Sequence, residues 1–257
     1  MSMKLSYFSY TNKGGRPNNE DSLRCQELDG RGVFVLADGL GGHQSGETAS
    51  AIAVEAILAG ASAAPSLDGG TLLSQLAEAN RQVMEGQKEP GCEDMKTTAV
   101  VLGIETSPED GALSDGSASS GEGRAAWAHV GDSRLYYFAG GELAAVTRDH
   151  SVTYMKYLGG EISYMDVYHD DDRASLLRVL GRPGCRPETG EAAVRPGDAF
   201  LLCSDGFWEF VYNEEMQADL LKSETPAAWV QSMLLRHIRR TPPGNDNLSV
   251  IAVFVEE

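Results

Sequence analysis

The sequence predicts an α/β protein in which strands lie in layered sheets and helices pack on the outside. Short β-branched or aromatic runs recur along the whole chain, and Gly, Asp or Pro bounds each of them. Helical patterns are fewer than strands and separate only some of them. This mixture favours layered sheets over a strictly alternating wheel of strands and helices.

Strand signals are spread along the whole chain. In chain order they are the first residues, GVFVLADG, TTAVVLGIE, AAWAHVGDSRLYYFAGGELAAV, DAFLLCSDG and LSVIAVFVEE. Within the fourth of these, FAGGEL predicts a tight hairpin turn. Helices are predicted for Glu47 to Leu58, Thr71 to Met84 and Ala227 to Arg239, where apolar residues recur at steps of three and four.

Two stretches have no regular pattern. Glu105 to Arg124 carries almost no apolar side chain between two predicted strands, so we expect a long, mobile hairpin loop. Asp149 to Arg182 mixes tyrosines with the acidic run Asp170 to Asp172. It is either a small flap over a site or a simple connection.

Composition bounds the function classes. With 257 residues, of which 42% are hydrophobic, the chain can bury a large core. It has neither a run of about 18 to 20 apolar residues nor a signal-peptide pattern. We therefore expect a cytoplasmic protein that does not bind membranes. The net charge of −17 disfavours nucleic acid as a partner, because phosphate neutralisation needs clustered Lys and Arg.

The cysteines indicate no metal finger and no disulfide framework. They show no CxxC pair and no His neighbour at metal-finger spacing, so reduced structural thiols are expected. The four positions are Cys25, Cys92, Cys185 and Cys203.

Carboxylates at the ends of apolar runs are the most informative feature. Asp38 ends VFVLADG, Asp132 follows AWAHVG, Asp205 ends FLLCSDG and Asp246 opens DNLSVIAVF. A charge at the end of a buried strand is costly unless it is paired or binds a metal. For any one of these residues a β-turn is the alternative. All four together favour a shared metal centre.

Oxygen ligands without His or Cys select hard cations, so Mg²⁺ or Mn²⁺ is expected. Two such ions bridged by a carboxylate lower the pKa of a bound water and let it attack phosphorus without a covalent intermediate. The marks of other phosphate chemistries are missing. The sequence has no GxxxxGK[ST] loop, no cysteine nucleophile in a phosphate-cradling loop and no GxSxG elbow.

Taken together, these motifs resemble the metal-dependent serine/threonine protein phosphatases of type 2C, the PPM family, in their compact bacterial form. The resemblance rests on RPNNEDS, LADGLGGHQSGETAS, TTAVV, HVGDSRLYYF, TRDHS, LLRVLG, LLCSDGFWE and DNLSVIAVF, all in family order. It implies one domain over residues 1–257, a four-layer α-β-β-α sandwich with two central antiparallel sheets, and a two-metal centre.

The resemblance also implies direct metal ligands. Asp38 resembles the carboxylate that bridges both metals, and the Gly39 carbonyl resembles a ligand of one of them. Asp205 and Asp246 resemble the remaining direct ligands. Asp132 resembles the ligand of a weaker third metal, with a turn as its alternative role.

Three further residues match family positions around the metals. Glu20 and Asp21 resemble the acidic pair that holds metal-bound waters. Arg16 is similar to the arginine that grips the substrate phosphate, a task that suits the guanidinium fork. A plain surface ion pair with Glu20 is the alternative role of Arg16. Phe207 and Trp208 are expected in the core.

Two positions depart from the family pattern. Leu40 stands where animal-type members place the histidine proposed as general acid, and His43 follows three residues later. His43 has a pKa range that suits protonation of a leaving alkoxide. Its alternative is packing within the glycine loop, and metal-bound water is the alternative acid. Lys96 replaces a common glycine. Near the metals it either alters the local backbone or adds positive charge near the substrate, and if it faces outward it has no effect.

The predicted function is metal-dependent hydrolysis of phosphoserine and phosphothreonine in proteins, opposing a bacterial-type serine/threonine kinase. The alternative is a catalytically weak phosphoprotein-binding member of the same fold, although the intact acid set argues against it. A two-metal phosphodiesterase acting on nucleic acid is disfavoured by the charge.

Overall fold

Two antiparallel β-sheets form the centre of the structure, a computed structural model that describes residues 3–28, 30–40, 45–106 and 122–257. The strands of the first sheet, in spatial order, are β1 (Lys4–Asn12), β11 (Leu248–Glu256), β10 (Ala199–Cys203), β7 (Arg134–Ala139) and β8 (Glu142–Val146). Those of the second are β2 (Asp21–Leu28), β3 (Arg31–Leu40), β5 (Ala99–Glu105), β6 (Gly123–Val130) and β9 (Glu188–Val194), and β4 (Lys96–Thr97) pairs with the end of β3.

Helices cover the outer faces of both sheets. The second sheet is covered by α1 (Ser45–Ala63) and α2 (Gly69–Gly86), and the first by α4 (Asp205–Trp208), α5 (Asn213–Leu220) and α6 (Pro226–Arg240). The connection from β8 to β9 contains α3 (Val152–Leu158) and a 3-10 helix, Tyr164–Tyr168.

Three separate apolar clusters define the layers. Side chains alternate along β3, so that Val33 and Val35 pack against α1 and α2 while Phe34 and Leu36 face the other sheet. The third cluster lies between the first sheet and α6, around Trp229. Helix, sheet, sheet and helix therefore stack in that order, which confirms the predicted four-layer α-β-β-α sandwich.

The local signals for the hairpin and for two of the helices hold in the structure. Gly140 and Gly141 both have positive φ, 56° and 89°, as a two-residue type I′ turn between β7 and β8 requires. The side chain of Asp68 accepts from Thr71 N–H at 2.7 Å and caps α2. Thr225 caps α6 in the same way. The helices α3 and α5 were not predicted, because each is too short for a clear periodicity.

The two irregular stretches differ from the expectation in their bounds. Glu105 and Arg124 are strand residues that pair with each other and form an ion pair of 2.6 Å. Residues 107–121, the centre of the predicted loop, lie outside the described residues. Asp149 to Arg182 contains two short helices, and a role as a flap stays a prediction.

Within the described parts of the chain, we find no helix with the length and apolar character of a membrane span.

Candidate active site

A cleft of about 560 Å³ lies where strand ends of both sheets meet. The cleft brings together nearly all of the candidate site residues of the sequence, although they come from distant parts of the chain. Those that line it are Arg16, Glu20, Asp38, Gly39, Asp132, Asp205 and Asp246. Asp21 does not line the cleft. His43 lies outside the described residues, as do Gly41 and Gly42.

Asp38 lies near the end of β3, and hydrogen bonds with two threonines hold its backbone in place. Asp38 N–H donates to Thr98 Oγ1 at 3.0 Å, and Thr97 Oγ1 donates to the Asp38 carbonyl at 2.8 Å. Thr98 Oγ1 also lies 2.7 Å from Ser133 Oγ, next to Asp132. Thr98 therefore links the backbone of Asp38 to the turn that carries Asp132. The TTAVV motif contains both threonines, but no local pattern indicated this role.

The glycines beside Asp38 permit a close approach of β3 and α1. A Cβ on Gly39 would lie 2.1 Å from the Gly46 carbonyl oxygen, and one on Gly46 would lie 2.2 Å from a carboxylate oxygen of Glu20. A side chain at Gly39 would meet backbone atoms and force the two elements apart, whereas one at Gly46 would first displace the Glu20 carboxylate. That the Gly39 carbonyl faces a cation stays a prediction.

Asn247 holds the loop that carries Arg16 and Glu20. Its Oδ1 accepts from Glu20 N–H at 2.7 Å, and its Nδ2 donates to the carbonyls of Lys13 and Asn18, at 2.9 Å in both cases. Asn247 is buried and lines the cleft. The sequence placed it beside Asp246 and gave no sign of this clamp, because its partners lie more than 200 residues away.

Arg16 forms its ion pair with Asp246 at 2.8 Å, and no ion pair with Glu20 is found among the described residues. The expected alternative, a pair with Glu20, is therefore not the observed one. Both side chains are about half exposed, at 54% and 46%. The guanidinium thus lies at the mouth of the cleft, within reach of solvent.

Asp21 lies directly across the β2–β3 ladder from Asp38. It accepts a hydrogen bond from Ser204 Oγ at 2.9 Å. Its other carboxylate oxygen is buried without a hydrogen-bond partner in the described structure. Burial raises the pKa of Asp21 to about 7.

Asp132 lies in the buried turn after β6, and aromatic residues hold the turn. Trp208 Nε1 donates to the Asp132 carbonyl at 3.0 Å, and Gly131 N–H donates to His150 Nδ1 at 3.1 Å. Phe207 and Trp208 are buried in the core, as predicted. His150 is a supporting residue that the sequence analysis missed, although the TRDHS motif contains it.

The electrostatics of the cleft are dominated by uncompensated negative charge. Burial raises the pKa of Asp38, Asp132 and Asp205 above the ordinary range, and repulsion from neighbouring carboxylates adds to each shift. Asp205 Oδ1 is buried without a partner in the described structure. Arg16 is the one cationic side chain among the described residues that line the cleft. A hard divalent cation fits this all-oxygen donor set and would satisfy its orphaned oxygen.

A second hollow of about 600 Å³ lies elsewhere, and four acidic residues, Asp198, Glu224, Glu256 and Glu257, are part of its lining. Asp198 accepts hydrogen bonds from Tyr137 Oη and Gly140 N–H, and the three glutamates are exposed, so this hollow has no buried cluster of uncompensated carboxylates among the described residues. None of the candidate site residues lines it. The acidic cleft is therefore the candidate active site.

Fold and site together define a class: a four-layer α/β sandwich whose strand ends present an oxygen-only, acidic cleft suited to divalent cations. Residues 12–239 match the family model described as Protein phosphatase 2C. The chain belongs to the protein phosphatase 2C family.

Curated relatives carry phosphatase names. The chain is 29% identical to the serine/threonine protein phosphatase PstP of Mycobacterium tuberculosis, over 99% of this chain and 46% of that protein. The chain therefore spans about half the length of PstP. It is also 29% identical to the serine/threonine phosphatase stp of Listeria welshimeri, over 93% of this chain and 90% of that protein.

Solved structures share the fold over the whole chain. The serine/threonine phosphatase PstP/Ppp of Mycobacterium tuberculosis superposes with a TM-score of 0.81 at 27% identity, covering 98% of this chain and 99% of that one. The catalytic domain of PstP in complex with two manganese ions gives a TM-score of 0.80 at 26% identity, covering all of both chains.

Proposed function

We propose that this protein is a metal-dependent phosphatase that hydrolyses phosphoserine and phosphothreonine in proteins. The observation that carries the proposal is the convergence of five carboxylates and one arginine in a single cleft. The phosphatase names of its relatives and the manganese-bound structural neighbour support it. Phosphorylated proteins are the proposed substrates, and a serine/threonine kinase is the proposed opposing enzyme.

The carboxylates are proposed to hold two divalent ions, Mn²⁺ or Mg²⁺. Asp38, the Gly39 carbonyl, Asp205 and Asp246 would hold these ions. Glu20 and Asp21, the cross-strand neighbour of Asp38, would hold waters of the metal centre, and Asp132 would hold a weaker third ion. Such ions, when bound, supply a water of lowered pKa and neutralise the charge of the phosphate.

Arg16 is proposed to bind the phosphate oxygens of the substrate. Its half-exposed guanidinium at the cleft mouth can donate two parallel hydrogen bonds to a phosphate. The contact with Asp246 orients the guanidinium over the cleft before substrate arrives. Binding of this kind fixes the phosphorus atom relative to the carboxylates, which is the main task of the protein in such a reaction.

The experiment that tests the function measures phosphate release by metal-stripped protein before and after addition of Mn²⁺ or Mg²⁺. Substrates are a phosphothreonine peptide and an aryl phosphate. We expect turnover only with metal, and a loss of at least about a hundredfold in Asp38→Asn and Asp205→Asn. Turnover without metal, or full activity in both variants, contradicts the proposal.

A catalytically weak phosphoprotein-binding member of the same fold is the competing function. The intact acid set supports the enzyme instead, because a binding module has no need of five converging carboxylates. Tight binding of the phosphopeptide with no phosphate release in the same experiment identifies the binding module.

His43 is proposed as the general acid that protonates the leaving alkoxide. We expect His43→Ala to lose at least about tenfold in kcat on the phosphopeptide and little on the aryl phosphate, whose leaving group needs no proton. Equal losses on both substrates would assign His43 a structural role.

A further inference from the structure

Lys96 lies beside the cleft, and its role could not be decided from the sequence. It forms the short strand β4 with Thr97, and the ladder pairs Gly39 with Thr97 and Leu40 with Lys96. On the other side, Thr97 pairs with Leu180. Lys96 is therefore a direct cross-strand neighbour of Leu40, two residues beyond Asp38.

The register decides which face of this ladder Lys96 occupies. Side chains alternate along a strand, so Lys96 and its partner Leu40 share one face while Thr97 occupies the other. Thr97 and Leu180 are fully buried, which assigns their face to the interior. Leu40 lines the cleft, whereas Lys96 is half-buried and lies outside the lining. The Lys96 side chain therefore lies on the Leu40 face of the ladder, next to the cleft.

The backbone around Lys96 is held in place from two directions. Gln87 Nε2 donates to the carbonyls of Met95 and Gly181, at 2.8 Å in both cases. Thr97 and Leu180 exchange two backbone hydrogen bonds, at 2.8 and 3.3 Å. Lys96 thus projects from a fixed strand instead of a loose loop.

The ammonium group of Lys96 has no ion pair among the residues that the structure describes. Lys88 and Lys156 pair with acids of their own segments. Lys4, Lys13 and Lys222 also have no ion pair among the described residues, so the distinguishing feature of Lys96 is its place beside the acidic cleft. Its ammonium group is available to an anion from outside the chain.

We propose that Lys96 is a specificity residue that selects phosphoprotein segments with a second negative charge close to the phosphorylated residue. The inference rests on the proposed phosphatase function. Two residues along β3 and one strand across place the Lys96 backbone about 8 Å from that of Asp38. An extended substrate rises about 3.3 Å per residue, so the second charge lies two or three positions from the phosphoresidue.

The test uses phosphothreonine peptides that differ only by Glu or Gln at one position, from three residues before to three residues after the phosphothreonine. For the metal-loaded wild-type protein, we expect kcat/KM to favour Glu over Gln about three- to fivefold at one or two of these positions. Lys96→Gln is expected to abolish the preference, and Lys96→Glu to reverse it. Raising the salt concentration should weaken the wild-type preference.

Two controls separate this effect from loss of net charge or of folding. Lys222→Gln removes the same charge from an exposed site outside the cleft and should keep the preference. Turnover of an aryl phosphate, which is too short to reach Lys96, should stay unchanged in all Lys96 variants.

Each remaining outcome has a definite consequence. Wild-type turnover without any preference for Glu, or an equal preference in Lys96→Gln, overturns the role of Lys96 and leaves the phosphatase function standing. Absence of turnover with every substrate overturns the phosphatase function, and the role of Lys96 with it.

Discussion

Two buried charged groups of this protein contrast sharply. Arg134 and Asp149 form a bidentate ion pair, with nitrogen to oxygen distances of 2.8 and 2.7 Å, and both side chains are almost fully buried. The Arg134 guanidinium also lies 3.5 Å from the centre of the Trp208 ring. The carboxylates of the neighbouring cleft have no such partner within the described chain, apart from the half-exposed Arg16.

The contrast teaches that this fold buries charge in two ways. The Arg134–Asp149 pair is complete, because the chain supplies both charges and the aromatic ring that packs on them. The acidic cleft is incomplete, because its carboxylates raise one another's pKa and an oxygen of Asp205 has no partner in the described structure. The first group stabilises the fold by itself, and the second needs a cation from outside.

The largest effect is expected when the Arg134–Asp149 ion pair is broken. Asp149→Asn leaves the buried Arg134 without its counter-charge, and we expect a loss of about 3 to 5 kcal/mol in the free energy of unfolding. The matched change Asp38→Asn removes an uncompensated carboxylate and should raise the stability of the metal-free protein. Urea denaturation of both variants without metal checks this, and equal destabilisation would remove the distinction between the two groups.

The pH dependence of the metal-free protein sharpens the comparison. The carboxyls of Asp38, Asp132 and Asp205 have pKa values above those of the unfolded chain, and the pKa of Asp21, across the ladder from Asp38, is about 7 against 3.8. Between about pH 4 and 7 the folded state therefore holds protons that the unfolded state has released. Stability falls as pH rises through this window, by about 1.4 kcal/mol per pH unit for each such proton.

The measurement for this prediction is a series of urea midpoints between pH 5 and 8, with a chelator and with excess Mg²⁺. Bound cations take the place of the protons, so we expect the downward slope only with chelator. A slope that is the same under both conditions would show that the cleft carboxyls are not its cause.

Arg16→Lys tests the phosphate contact at the cleft mouth. Lysine keeps the charge but loses the planar fork, so we expect kcat/KM on the phosphopeptide to fall about tenfold. The free energy of unfolding should change by less than about 0.5 kcal/mol, because the residue is half exposed. Steady-state kinetics check the first expectation, and unchanged kcat/KM would remove Arg16 from the phosphate site.

The smallest expected effect concerns the hydroxyl that links Asp38 to the Asp132 turn. Thr98→Val removes the acceptor of Asp38 N–H and the contact with Ser133, and we expect a loss of about 1 kcal/mol in stability. Thr98→Ser keeps the hydroxyl and should restore most of the loss. Failure of serine to do so would assign the effect to packing.

The sequence predicted the fold class and the convergence of the strand-end acids because both depend on local signals. An apolar run that ends in Asp-Gly marks a strand end, and Gly140–Gly141 marks a hairpin, without any knowledge of distant residues. The layer order came from the family resemblance, which the three apolar clusters confirm.

Two of the residues that the sequence missed act over long separations. Thr98 binds Asp38 across 60 positions and Asn247 binds Glu20 across 227, so their roles depend on strand register, which no local pattern contains. The position of Asp21 directly across from Asp38 follows from the β2–β3 ladder in the same way.

Titration of Mn²⁺ into metal-stripped protein tests the central claim most directly, by calorimetry in two buffers of different ionisation enthalpy. If the cleft carboxyls form an incomplete charged group, the wild-type protein binds Mn²⁺ and releases protons, and Asp38→Asn binds at least about tenfold more weakly with fewer protons released. Absence of binding by the wild-type protein, or equal binding and proton release by Asp38→Asn, would contradict the account.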